Sequence, residues 1–251
     1  MVIVPHDGLR FALTYWAQRV LMLPVVWLVF RYLNRVRVVG LEHLDEVGPG
    51  PVILAPNHVS AWDSWVGCLW PLSSRRRYVE RDSYCCVLAA PENVPTLPLK
   101  ALTGVLGAIP VDRERGVEQH SMQDLLRLMR ARDRRVVVTV YPEGTRSRDG
   151  RLRKKGKAGI GWLAHQTGAT VVPVFHRGAE RMPGVGMALT LRIGRPLRFD
   201  ELAQAPAAPE TWRRITERIM DSLRALEADA DRAEGRGRPR PAVRRLLRPA
   251  A

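Results

Sequence analysis

Residues Val136-Val137-Val138-Thr139-Val140 form an almost unbroken β-branched run. Such a run has no polar face to turn toward water, so as a strand it must be covered on both sides, which is the situation of an inner strand in a parallel sheet clothed by helices. The rest of the chain agrees. Short β-rich runs at 35–39, 52–55, 77–80, 108–112, 135–141, 170–175 and 188–193 alternate with helical patterns at 62–69, 97–106, 117–131, 157–167 and 210–226. In the 117–131 segment, Leu125, Leu128 and Met129 recur at the spacing of one helix face. The expected fold is α/β, a mostly parallel central sheet flanked by helices. With 251 residues and 46% hydrophobic content there is material for one large core. We divide the chain into an N-terminal segment (1–34), a globular domain (35–228) and a basic tail (229–251). No internal repeat and no glycine pattern of a nucleotide-binding loop is present.

The formal net charge of +15 calls for anionic partners: nucleic acid, an acidic membrane surface or phosphorylated substrates. From 235 onward the chain holds Arg236, Arg238, Arg240, Arg244, Arg245 and Arg248 with no acid, broken by Pro239, Pro241 and Pro249, so it reads as disordered or membrane-adsorbed. The cysteines, Cys68, Cys85 and Cys86, lack zinc-site spacing and an adjacent pair does not readily bridge, so free thiols in a reducing cytoplasm are expected. Residues 9–33 are rich in aromatic and aliphatic side chains but are interrupted by Arg10, Gln18, Arg19, Pro24 and Arg31. The longest clean apolar run, 20–30, is well short of the roughly twenty residues a spanning helix needs. An interfacial helical segment, with Trp16, Trp27 and Tyr32 near headgroup level, is the reading preferred over simple packing on the domain.

Two strings follow directly on strands and carry the chemistry. Asn57-His58-Val59-Ser60-Ala61-Trp62-Asp63 offers a histidine base and a carboxylate to orient it. On a regular helix their five-residue spacing leaves them about 140° apart, so they meet only if His58 lies in the loop and Asp63 in the first helical turn. Pro56-Asn57 and the N-cap residue Ser60 permit that. A second reading stands beside it: Ser60 to Asp63 matches a capping box, in which Asp63 only satisfies helix-end amides. Tyr141-Pro142-Glu143-Gly144-Thr145-Arg146-Ser147 offers a turn whose backbone amides, with the Arg146 fork, suit an anion. The competing reading is a solvated surface turn with Glu143 in a salt bridge. Further strings are Gly107-Ala108-Ile109-Pro110-Val111-Asp112-Arg113, Arg153-Lys154-Lys155-Gly156-Lys157-Ala158-Gly159, and Val171-Val172-Pro173-Val174-Phe175. In the last, the proline points to an edge strand or a bulge.

In this order, His-x4-Asp, Gly-x5-Arg, aromatic-Pro-Glu-Gly-Thr-Arg-Ser and Val-Pro-Val resemble the 1-acyl-sn-glycerol-3-phosphate acyltransferase family of glycerolipid acyltransferases, over about 36–197. Gly156-Lys157-Ala158-Gly159 also looks like the Gly-Lys-Thr-Gly variant common in actinobacterial members. Tyr141 replaces the usual phenylalanine, and Pro110 interrupts a motif that usually continues as apolar strand. The resemblance implies His58 as general base and Asp63 as its orienting acid, with Asn57, Ser60 and Pro173 in support. It implies an acceptor phosphate held by Arg113, Glu143, Gly144, Thr145 and Arg146, with Lys155 or Lys157 as further candidates. It also implies transfer from acyl-CoA or acyl carrier protein to a lysophospholipid, yielding phosphatidic acid, without metal or resident cofactor. The expected setting is the cytoplasmic face of the cell membrane, on an anionic membrane surface, with no nucleic acid as partner. Other acceptors stay open: glycerol 3-phosphate, another lysophospholipid or a lyso-aminolipid. A reading of another class is a basic nucleic-acid or membrane-surface binding protein with an inactive fold of this type.

Overall fold

The computed structural model describes residues 12–13, 16–28, 32–60, 63, 83–89, 107–112, 114–131, 135–147, 150–181 and 184–235. Outside them lie the expected strand at 77–80, the expected helix at 97–106, the 62–69 helix apart from Asp63, Cys68, Arg113, Arg148 and the arginine run from 236.

Seven strands form one sheet: β1 Arg35–Val39, β2 Val52–Pro56, β3 Ser83–Ala89, β4 Ala108–Pro110, β5 Arg135–Thr139, β6 Thr170–Arg177 and β7 Ala188–Ile193, in the order β1-β7-β6-β2-β5-β3-β4. Every pairing is parallel except β6 with β7. β1 and β7 therefore run opposite to the other strands. Arg35 pairs with Ala188, and Arg177 with Thr190, so the start of β1 lies at the end of the sheet where β6 finishes.

The β-branched run fills its expected place, because β5 lies inside the sheet between β2 and β3. Val136, Val138 and Val140 face one layer with Ile53, Ala55 and Val171. Val137 faces the other with Val52, Leu54, Val172, Leu189 and Leu191. Helices α2 (His120–Ala131), α3 (Gly159–Thr167) and α4 (Pro209–Ala233) cover the first layer, burying Leu125, Leu163, Ile215, Ile219 and Leu223 against it. Each such side chain contributes about 1.5–3 kcal/mol on burial. Helix α4 begins with proline in its first turn, where the missing N–H costs nothing, and runs to Ala233 rather than stopping at 226. It packs closely on Gly161, where an added Cβ would land on the Trp212 carbonyl oxygen.

Two expectations change. Strand β3 was not expected: Ser-Tyr-Cys-Cys-Val-Leu-Ala has one β-branched residue, and its place comes from pairing with β5 and β4 on either side. Pro173 does not mark an edge, since β6 is flanked by β2 and β7. It marks the bulge instead. Between the pairs Val171↔Leu197 and Val174↔Ile193, two residues of β6 face three of the opposing chain, and the Pro173 carbonyl accepts the Gly194 N–H at 2.9 Å. The nitrogen without a hydrogen sits where the ladder is interrupted.

Among the described residues of the N-terminal segment, a π-helical turn at Ala17–Met22 leads into α1, Leu23–Leu28. Trp16, Val20, Leu28, Tyr32 and Leu33 are exposed. Among the described residues no helix is long and apolar enough to cross a membrane. Gln18, which in the sequence looks like a polar interruption, is buried: its amide N–H donates to the Cys85 carbonyl (2.7 Å) and its oxygen accepts the Cys85 N–H (3.4 Å). One side chain thus takes the part of a neighbouring strand and fastens the segment to β3.

Candidate active site

Adjacent strands β5, β2 and β6 all end on one side of the sheet, the position at which open α/β sheets present ligands. Pro56 ends β2 and releases Asn57 and His58. Past β5 the chain turns through Tyr141–Ser147, with Gly144 at φ 69° closing the turn and its N–H donating to the Tyr141 carbonyl at 3.1 Å. A side chain at 144 would be strained in that conformation and would also meet the Lys157 stem.

His58 and Asp63 do meet. Nδ1 of His58 lies 2.7 Å from Asp63 Oδ2, and the same oxygen accepts the N–H groups of Val59 (2.7 Å) and Ser60 (2.8 Å). The capping and orienting readings of Asp63 are thus one geometry: half a capping box places the carboxylate, and its oxygen then holds the imidazole. Because a carboxylate only accepts, Nδ1 carries the hydrogen and Nε2 keeps its lone pair. Asp63 is completely buried, whereas the His58 side chain keeps 11% of its surface in contact with solvent. Tyr141 stacks on the His58 ring at 4.0 Å with planes 17° apart, so the aromatic before Pro142 packs on the base itself.

Glu143 binds the two motifs together. Its Oε1 accepts the His58 N–H at 2.6 Å, its Oε2 accepts the Arg153 N–H at 2.9 Å, and the Ser147 N–H donates to the His58 carbonyl at 2.7 Å. Burial holds the Glu143 carboxyl above the ordinary carboxylate range, against the weaker opposing pull of the Arg153 and His58 amides. Glu143, expected at the phosphate site or in a surface salt bridge, is buried here and accepts a backbone N–H at each oxygen. It ties the His58 loop to the segment that carries Arg153.

Of the other expected anion ligands, Gly144 and Thr145 sit half-buried in the turn, and Arg146, Lys155 and Lys157 are exposed beside it. The Thr145 hydroxyl is buried and has no hydrogen-bond partner. The Lys157 N–H donates to the Pro142 carbonyl at 2.8 Å, which folds the basic string back over the turn. Burial pushes the Cys85 thiol up to about 11 and raises the Cys86 thiol well above the ordinary range, which suits packing rather than nucleophilic attack.

Asn57 clamps the end of β6. Its Nδ2 donates to the His176 carbonyl (3.0 Å) and its Oδ1 accepts the His176 N–H (2.8 Å). His176 itself was missed in the sequence. It is fully buried, with Nε2 3.0 Å from the Asn57 carbonyl oxygen and 3.6 Å from Asp63 Oδ1. Burial lowers its pKa, against the pull of Asp63. The available signal was parity: residues 172, 174 and 176 share one side of β6, so a histidine two positions beyond buried Val174 faces the same way.

Residues 35–177, more than half the chain, match the family model described as Acyltransferase. The chain belongs to the acyltransferase family. The fold of this acyltransferase is shared with the crystal structure of the 1-acyl-sn-glycerophosphate (LPA) acyltransferase, PlsC, from Thermotoga maritima. That match has a TM-score of 0.53 and 19% identity, and covers 92% of this chain and 81% of that one. The family match takes in every expected site residue, from Asn57 to Pro173, and ends at Arg177, immediately after His176.

Proposed function

We propose that this acyltransferase moves a fatty acyl group from an acyl thioester, acyl-CoA or acyl carrier protein, to the sn-2 hydroxyl of 1-acyl-glycerol 3-phosphate, giving phosphatidic acid. The observation that carries this reading is the His58–Asp63 pair, fixed by buried hydrogen bonds with Nε2 left as a base, next to a cationic turn. Nε2 takes the proton of the acceptor hydroxyl as its oxygen attacks the thioester carbonyl. The new C–O bond forms, the C–S bond breaks, and the thiolate leaves with the proton from the imidazolium. Asp63 holds the ring and steadies the imidazolium, as the acid does in a serine triad, while the substrate hydroxyl is the nucleophile and no acyl-enzyme forms. The step balances without a cofactor beyond the thioester.

Arg146, the Thr145 N–H of the Gly144 turn and Lys155 or Lys157 are the groups proposed for the acceptor phosphate. The acceptor and product are lipids, and the exposed Trp16, Val20, Leu28, Tyr32 and Leu33, with the exposed Arg35 and Arg37 nearby in sequence, support attachment to an anionic membrane surface. We place that surface at the cytoplasmic face of the cell membrane. Thiol release from palmitoyl-CoA tests the proposal, with 1-acyl-glycerol 3-phosphate, glycerol 3-phosphate and lysophosphatidylcholine offered in parallel. We expect acceptor-dependent release with the first, cut about 10²- to 10⁴-fold in His58→Ala. Release that ignores the His58 substitution would overturn the assignment of the base, and a preference for another acceptor would overturn the headgroup.

A further inference from the structure

The hydrogen bonds around Asp63 are lopsided. Oδ2 accepts three donors, from His58, Val59 and Ser60, whereas Oδ1 is buried with no hydrogen-bond partner. A carboxylate oxygen kept from water and left unpaired is costly, and native structures rarely keep one without a reason. The group aimed at it is His176 Nε2, 3.6 Å away, from a side chain that is itself wholly buried. The other nitrogen of that ring, Nδ1, is buried without a partner.

These facts settle the state of the ring. Nε2 faces two acceptors, the Asn57 carbonyl and Asp63 Oδ1, so it carries the hydrogen. A second proton on Nδ1 would leave a charged, buried donor with nothing to bond, so the ring stays neutral. His176 thus presents one N–H shared between a carbonyl at hydrogen-bond distance and a carboxylate oxygen just beyond it. Asn57 holds the backbone of the same residue at both N–H and C=O, which fixes where that N–H points.

We propose that His176 is a positioning residue for the acyl transfer: its Nε2–H swings from the Asn57 carbonyl toward Asp63 Oδ1 as the proton arrives on His58. The ring keeps its proton throughout and touches no substrate. It holds the second oxygen of Asp63 so that the first stays aligned with His58 Nδ1. The inference rests on the proposed role of the His58–Asp63 pair, so wild type and His58→Ala are assayed beside every variant. Acyl transfer indifferent to His58 would sink that underlying role rather than this one.

His176→Leu keeps much of the volume and removes the donor. His176→Gln places an amide N–H close to the position of Nε2, and His176→Asn is too short to reach Oδ1. We expect Leu and Asn to lower kcat about 10- to 100-fold with KM changed less than about threefold, and Gln to restore most of kcat. Equal kcat in Gln and Asn, or kcat within about twofold of wild type in Leu, would overturn the proposal. Should the Leu variant fail to fold, the Gln and Asn pair decides. In wild-type protein with ¹⁵N-labelled histidine, nitrogen shifts of a neutral ring protonated at Nε2 are expected, and a ring protonated at Nδ1 would equally refute it.

Discussion

Replacing Glu143 by glutamine exchanges one acceptor oxygen for an NH₂ group at nearly constant volume. In the native site both oxygens are used, Oε1 by the His58 N–H at 2.6 Å and Oε2 by the Arg153 N–H at 2.9 Å. Glutamine can serve one of them; at the other, donor meets donor. A hydrogen bond to a charged group contributes about 1.5–3 kcal/mol, and an unsatisfied buried donor costs about 1–3 kcal/mol. We therefore expect a loss of about 2–4 kcal/mol, nearer the lower figure if the amide turned away is that of Arg153, an exposed residue. For a chain of this size that is a fall in Tm of roughly 5–15 °C. Thermal unfolding in detergent gives the Tm, and thiol release gives kcat and KM on the same preparation. Because the lost bond holds the His58 loop rather than substrate, kcat should fall for every acceptor, with or without a phosphate. An unchanged Tm joined to a raised KM confined to phosphate-bearing acceptors would refute the scaffold role and restore Glu143 to the anion site.

Arg146→Ala should raise KM for 1-acyl-glycerol 3-phosphate while leaving Tm within about 1–2 °C, as expected of an exposed side chain; an equal loss with monoacylglycerol as acceptor would count against it. Gly161→Ala drives a methyl onto the Trp212 carbonyl at the α3–α4 contact, and overpacking of this kind costs about 1–3 kcal/mol, read as a lowered denaturation midpoint. His176 is kept neutral by burial and has a pKa below the ordinary 6.5. Below about pH 6.5 the unfolded chain therefore binds a proton that the folded chain refuses, and stability falls with pH by up to about 1.4 kcal/mol per unit. His176→Gln should flatten the stability profile just below about pH 6.5, and an identical slope in both proteins would show that another group is responsible.

The layered architecture was legible because strands such as β5 and β6 carry their own signal, uninterrupted apolar residues that fit only a doubly covered position. Strand β3 carries no such signal: its small and sulfur-containing residues became strand through the edges of β5 and β4. The His58–Asp63 contact was legible as a possibility, since the capping pattern at Ser60 already required the tight entry into the helix. The bonds of Glu143 were not legible, because a carboxylate among many cations suggests ion pairing, whereas two backbone amides at 2.6 and 2.9 Å hold it. Those amides come from residues 85 positions before it and 10 after it, a separation that local pattern does not report. Gln18 and His176 went unseen for the same reason, as each acts on an element distant in sequence.

The reversal of β1 and β7 decides where a lipid would have to travel. Because β1 runs against the central strands, the chain enters that strand at Arg35, at the same end of the sheet as His58. Had β1 run the other way, the five residues of that strand, at about 3.3 Å each, would have put the exit ~16 Å lower, at the opposite end. A bilayer gripped there would face the wrong pole of the molecule. Each methylene drawn from the apolar phase costs about 0.8 kcal/mol, so a lysolipid climbing that height would surrender much of its affinity before meeting the base. With the strand inverted, Arg35 and the proposed base His58 share one pole, and under the proposed function an acceptor hydroxyl at headgroup depth there would have only a short way to rise.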